Sequence, residues 1–98
     1  MAAPTSVTAA IAIADSTVIT LSGPTKFVAD LSGDNAIQSG DVIRIYELAV
    51  SGDYQPVKIS QQHVAALTYY EPSIIVEGYG DYKLLASAAG IGVGYVSA

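Results

Sequence analysis

His63 is the chain's one histidine, and there is no cysteine. A histidine acting as general base needs a nucleophile to activate and a third group to orient it. Serines are plentiful, but no Gly-x-Ser-x-Gly elbow presents one. His63 is therefore read as a surface or loop imidazole. One histidine without thiolates also argues against zinc, whose sites combine several His or Cys ligands. Gly-Asp occurs at Gly33-Asp34, Gly40-Asp41, Gly52-Asp53 and Gly80-Asp81. Calcium would need six or more oxygens from such loops, and no dense Asp-x-Asp-x-Asp run supplies them. Turn formation is the simpler role, with Asp bonding its own backbone and Gly supplying positive φ. The nine carboxylates fall mostly at expected turns and strand ends. A glycosidase pair would need two of them facing one cleft. Glu47 alone sits mid-strand among apolar neighbours, where an ion pair with Arg44 or with a lysine of an adjacent strand is expected. These residues point to no enzyme, no metal and no cofactor.

The aromatic residues carry more. Seven tyrosines stand against one phenylalanine and no tryptophan. Tyrosine joins an apolar ring to a hydrogen-bonding end, which suits protein interfaces. Tyr69, Tyr70, Tyr79 and Tyr82 are the first candidates. Near the C-terminus, Gly90-Ile91-Gly92-Val93-Gly94-Tyr95 lacks the Gly-Lys-Ser/Thr ending of a phosphate loop. Glycine alternating with apolar side chains leaves one strand face nearly bare, open to close approach by another chain. Gly92, Gly94 and Tyr95 thus join the candidates for an interface.

Composition favours the same reading. Of 98 residues, 51% are hydrophobic and only 13% charged, against about 25% charged in an ordinary globular domain. A small domain has much surface for its volume. Here Ala, Ser, Thr, Gly and Tyr must cover it, which suits burial against neighbours. The net charge is −5, and the four cations, Lys26, Arg44, Lys58 and Lys83, do not cluster in sequence. Nucleic acid and anionic membrane surfaces both need converging cations, so neither is an expected partner. No apolar run approaches the ~20 residues of a spanning helix. The N-terminus lacks the basic region of a secretory signal.

The elements that must position these residues read as strands. One domain is expected over residues 7–98, behind a flexible arm, residues 1–6, that contains Pro4. Val7 to Ile13 is ambiguous, its alanines favouring helix and Val7, Thr8, Ile11 and Ile13 favouring strand; it is read as a strand because the run is short and Ile11 and Ile13 share a strand face. Thr17 to Ser22 and Lys26 to Ser32 form a candidate hairpin about Gly23-Pro24-Thr25. Asp41 to Val50 is the longest strand candidate, apolar on both faces. Tyr54 to Ser60 returns as an edge or bulged strand because Pro56 lacks a donor. Gln61 to Tyr70 fits a helical turn or a strand, with strand character favoured near Ala65–Tyr69. Ser73 to Glu77, a Gly78–Asp81 turn, Tyr82 to Ser87 and Ile91 to Ser97 complete the chain. Residues 19–29 and 75–86 echo each other as strand, glycine turn and lysine-bearing strand. The whole predicts an all-β fold: a single small antiparallel β-sandwich or barrel of about seven to nine short strands.

The C-terminal pattern resembles small β-sandwich virion structural proteins of tailed bacteriophages. It is carried by Val76, Gly78, Gly80, Tyr82, Leu84, Ala88, Ala89, Gly92, Val93 and Tyr95. The middle hairpin, Tyr46-Glu47 through Gly52-Asp53 to Pro56-Val57, is similar to the same family's, with Gly and Asp in reversed order. The resemblance implies a non-enzymatic capsid decoration or cement protein in the virion, assembled in the host cytoplasm. Its partners would be the major capsid protein or other virion proteins, and copies of itself, a homotrimer being common on icosahedral shells. The alternatives are a tail, neck or fibre accessory protein and a host-glycan-binding β module.

Overall fold

The structure is a computed structural model and describes residues 4–98. Among the described residues nine strands form: β1 (Thr5–Thr8), β2 (Ile19–Ala29), β3 (Val42–Leu48), β4 (Tyr54–Pro56), β5 (Lys58–Ser60), β6 (His63–Val64), β7 (Ala66–Thr68), β8 (Ser73–Ala86) and β9 (Gly92–Ser97). Their ladders are antiparallel. Seven strands make one sheet in the order β1-β9-β2-β8-β3-β4, with β7 also on β3, and β5-β6 make a second, small sheet. The expected all-β fold is what the chain adopts.

Two strands are far longer than the sequence predicted. The expected hairpin at Thr17–Ser32 is instead one strand, β2, running through Gly23-Pro24-Thr25. The expected turn at Gly78–Asp81 likewise lies inside β8. The reason is mutual. β2 and β8 pair with each other over ten positions, Ile19↔Tyr82 to Val28↔Ser73, and Gly23 stands opposite Gly78. The two echoing segments are thus ladder partners. Pro24 is tolerated because its carbonyl faces the β9 side, where it accepts from the Ala98 N–H. Its nitrogen points to the same edge, so no bond to β8 is lost.

β8 also organises the sheet's bend. Its first part pairs β2 and its last part, Tyr82–Ala86, pairs β3 on the opposite edge. Tyr82 has a partner on each side, Ile19 and Glu47. The sheet folds over there, so that β7 packs across the core against β2 and β8. Alternate residues point inward, as in Ile19, Leu21, Thr25 and Phe27 of β2 and Val76, Tyr82 and Leu84 of β8. Phe27, Ile43, Ile45, Ala65 and Leu67 are wholly buried at the centre.

The remaining differences are at the periphery. Of the arm expected over residues 1–6, Thr5 and Ser6 belong to β1 and pair with Tyr95 and Gly94; Met1–Ala3 lie outside the described residues. The strand expected over Val7–Ile13 stops at Thr8. Ala10 then bridges Leu85, and Ile13–Asp15 form a 3₁₀ turn. Ser16 fastens that turn: its buried hydroxyl lies 2.9 Å from the Ala12 carbonyl oxygen and 2.8 Å from that of Leu84. β4 is the outermost strand of its sheet, as Pro56 predicts. Val57 still donates its N–H to the Ile45 carbonyl of β3, and beyond it β5 and β6 form a separate hairpin. The alternative of a helical turn in Gln61–Tyr70 gives way to β6 and β7.

Candidate interaction surface

The seven candidate residues divide between surface and interior. Tyr69 and Tyr70 occupy the turn after β7. Thr68 holds that turn closed: its N–H donates to the Glu71 carbonyl (3.0 Å) and its Oγ1 accepts from the Glu71 N–H (3.0 Å). The two tyrosines are left at the apex, edge to face with ring centroids 5.1 Å apart. Tyr70 is 78% exposed, with its hydroxyl 3.4 Å from Ser39 Oγ. Leu31, also exposed, lies beyond Ala29, whose N–H donates to the Pro72 carbonyl. Tyr79 is equally exposed, on the outer face of β8 opposite Ser22.

Tyr82, Gly92, Gly94 and Tyr95 are turned toward their own fold. Tyr82 is buried among core residues with its hydroxyl end against Gly78, where a Cβ would overlap it. Burial raises the Tyr82 phenol above its usual range, and the neighbouring Glu47 carboxylate adds to the rise. Gly92 is buried beneath the Asp30 carboxylate, and Gly94 lies beneath Pro4. The bare glycine face thus admits segments of the same chain. Tyr95 is half-buried against Phe27, with centroids 5.9 Å apart. The alternation of the tail was legible, but what it approaches depends on chain segments over fifty residues away.

The ion pair expected of Glu47 does not form. Among the described residues no lysine or arginine nitrogen lies within 4.0 Å of a carboxylate. Glu47 faces Tyr82 and Gln55 across its ladders, whereas Arg44 alternates to the other face. The glycine of every Gly-Asp pair adopts positive φ, between 92° and 101°. Asp41 accepts from the Gln38 N–H and from Ser87 Oγ, and Asp81 from Thr20 Oγ1. This is turn and ladder chemistry. Among the described residues no three His, Cys, Asp or Glu side chains gather to hold a metal ion.

Two features went unpredicted. The first is a contact between Ser60 Oγ and His63 Nδ1 at 3.1 Å, across the tip of the β5-β6 hairpin. Both residues are exposed beside an open groove of about 370 Å³ that Ile59, Glu71 and Ile74 also line. Catalysis by such a pair would need the histidine oriented through its other nitrogen, and among the described residues its ring makes no second hydrogen bond. The contact closes a turn. The second feature is Ile75, 58% exposed on the face it shares with Glu77 and Tyr79. Its period-two spacing from Tyr79 was a readable signal, had β8 been taken as one strand. In comparisons with known proteins, no family model, no curated protein and no solved structure matches this chain.

Proposed function

We propose that this protein is a non-enzymatic structural component of a virion, a capsid decoration or cement protein that binds the head shell and stabilises it. The observation that carries the reading is the Tyr69–Tyr70 apex. Two adjacent aromatic rings are held out to solvent by a hydrogen-bonded turn. Exposed aromatics on a rigid support, in a chain that is only 13% charged, have the character of a buried interface core. The likeness of the C-terminal strands to tailed-phage virion proteins supplies the partner: the major capsid protein or a neighbouring virion protein.

The test uses purified full-length protein and particles lacking it. Wild type is expected to co-sediment with the particles and raise their heat resistance. Tyr70→Ala, which leaves the core untouched, should weaken attachment by about tenfold or more, as loss of an aromatic anchor does. Failure of wild type to bind any particle component would overturn the proposal. Binding at hundreds of copies per particle fits shell decoration; a few to a dozen would instead place the protein in tail or neck.

A further inference from the structure

We infer that the outer face of β2, β8 and β9 is a self-complementary surface on which a second copy of this chain docks by a two-fold axis. The inference is separate from attachment to a shell and uses a different part of the molecule. Facing outward on these strands, Lys26 stands opposite Ile75 and beside Val96, Pro24 stands opposite Glu77, and Ser22 opposite Tyr79. Lys26 and Glu77 therefore occupy one diagonal of a four-residue plaquette, and Ile75 and Pro24 the other. Lys26, Pro24, Ile75, Glu77 and Tyr79 are all exposed.

This arrangement has a consequence for symmetry. A two-fold axis lying in the interface, across the Lys26–Glu77 diagonal, exchanges those two positions. Each lysine then meets the partner's glutamate, while Ile75 meets its own copy and Pro24 its own copy. With strands ~4.8 Å apart and same-face residues about 6.7 Å apart, the same axis brings Val96 over the Tyr79 position of the second copy. Like meets like among apolar groups, and unlike meets unlike among charges. The facing strands then cross at roughly 70°, close to the orthogonal class of sheet packing. An isologous contact needs such self-complementarity, each residue and its counterpart meeting twice.

The contact is small. The ten-residue β2-β8 ladder is about 33 Å long, and the shorter β9 and β1 widen it to a plan area of roughly 500 Å². That is below the ~800 Å² per partner of a standard interface, so the dimer is weak and forms at high local concentration, as on a crowded surface.

Sedimentation equilibrium of the purified full chain, at micromolar to millimolar concentration and low salt, tests this without any particle. Wild type is expected to show a monomer–dimer equilibrium. Lys26→Glu and Glu77→Lys each place like charges together twice and should weaken association by about tenfold or more. The double exchange Lys26→Glu with Glu77→Lys restores opposite pairs and should recover wild-type association to within about threefold. Thermal unfolding of each variant checks that the fold persists; both sites are exposed, so midpoints should match wild type. A wild type that stays monomeric at millimolar concentration, a trimer, or single reversals that leave association unchanged would each overturn the inference. So would single reversals that abolish binding to virion particles while wild type alone is monomeric, since the face would then belong to another protein.

Discussion

Ser16 and Tyr82 show how single polar groups are accommodated in a charge-poor domain. The Ser16 hydroxyl is buried and lies within hydrogen-bond distance of two carbonyls, one in its own 3₁₀ turn and one on β8. Ser16→Ala leaves both acceptors without that donor and should cost about 1–3 kcal/mol, read from urea unfolding. Tyr82 behaves differently because its neutral form is the one the fold accepts. Its pKa is raised by burial and then by Glu47, so the unfolded chain loses this proton first as pH rises. Stability tied to Tyr82 is complete below the ordinary tyrosine value of ~10 and drains away as pH climbs from there through the folded-state value. Tyr82→Phe should flatten the alkaline side of the stability–pH curve relative to wild type. Equal alkaline losses in both proteins would show that Tyr82 is not responsible.

At the scale of elements, the long pair β2-β8 bears most of the architecture. One of its glycines, Gly78, is not a turn residue but a site of contact. Gly78 makes room for the Tyr82 ring, and a methyl group there would overlap the hydroxyl and come within 2.7 Å of the ring carbon Cζ. Because that ring is buried, it cannot simply swing away. Gly78→Ala is expected to destabilise by about 1–3 kcal/mol, the range for overpacking a core. Tyr82→Phe in the same chain removes the hydroxyl overlap but leaves the ring-carbon contact, so it should rescue part of the loss. Full additivity of the two changes in a double-mutant cycle would contradict the contact.

For the molecule as a whole, core and surface aromatics should separate cleanly. Phe27 is wholly buried within the core, and Tyr79 is 78% exposed. Phe27→Ala should cost about 3–5 kcal/mol, a large fraction of the ~5–15 kcal/mol that a chain of this size possesses. Tyr79→Ala should stay within about 0.5 kcal/mol of wild type. Comparable urea midpoints for the two variants would invalidate the division between inner and outer faces. The same division explains why an apolar, ion-poor composition is compatible with a folded chain. Alternation places one row of each long strand in the core and leaves Ile75 and Tyr79 in the other.

Local chemistry in the chain determined the strand-rich class, the Gly-Asp turns at Gly33, Gly40 and Gly52 and the edge position of the Pro56 strand, because each rests on dihedral preference or donor count within a few residues; the fourth, Gly80-Asp81, lies inside β8. Tyr69 and Tyr70 were legible as interface candidates from tyrosine's mixed apolar and polar chemistry, but the sequence predicted strand over Ala65–Tyr69; the turn that carries both rings was set by the Thr68–Glu71 hydrogen bonds. The course of β2 and β8 was decided only by tertiary pairing. Gly23-Pro24 and Gly78–Gly80 have the composition of turns, yet each strand holds the other extended through a ladder spanning some fifty residues of sequence. The fates of Tyr82, Gly92 and Gly94 follow from that pairing, since a strand pattern shows that side chains alternate but not which neighbour fills the space above them. For the same reason the Lys26–Glu77 diagonal became visible only with the register.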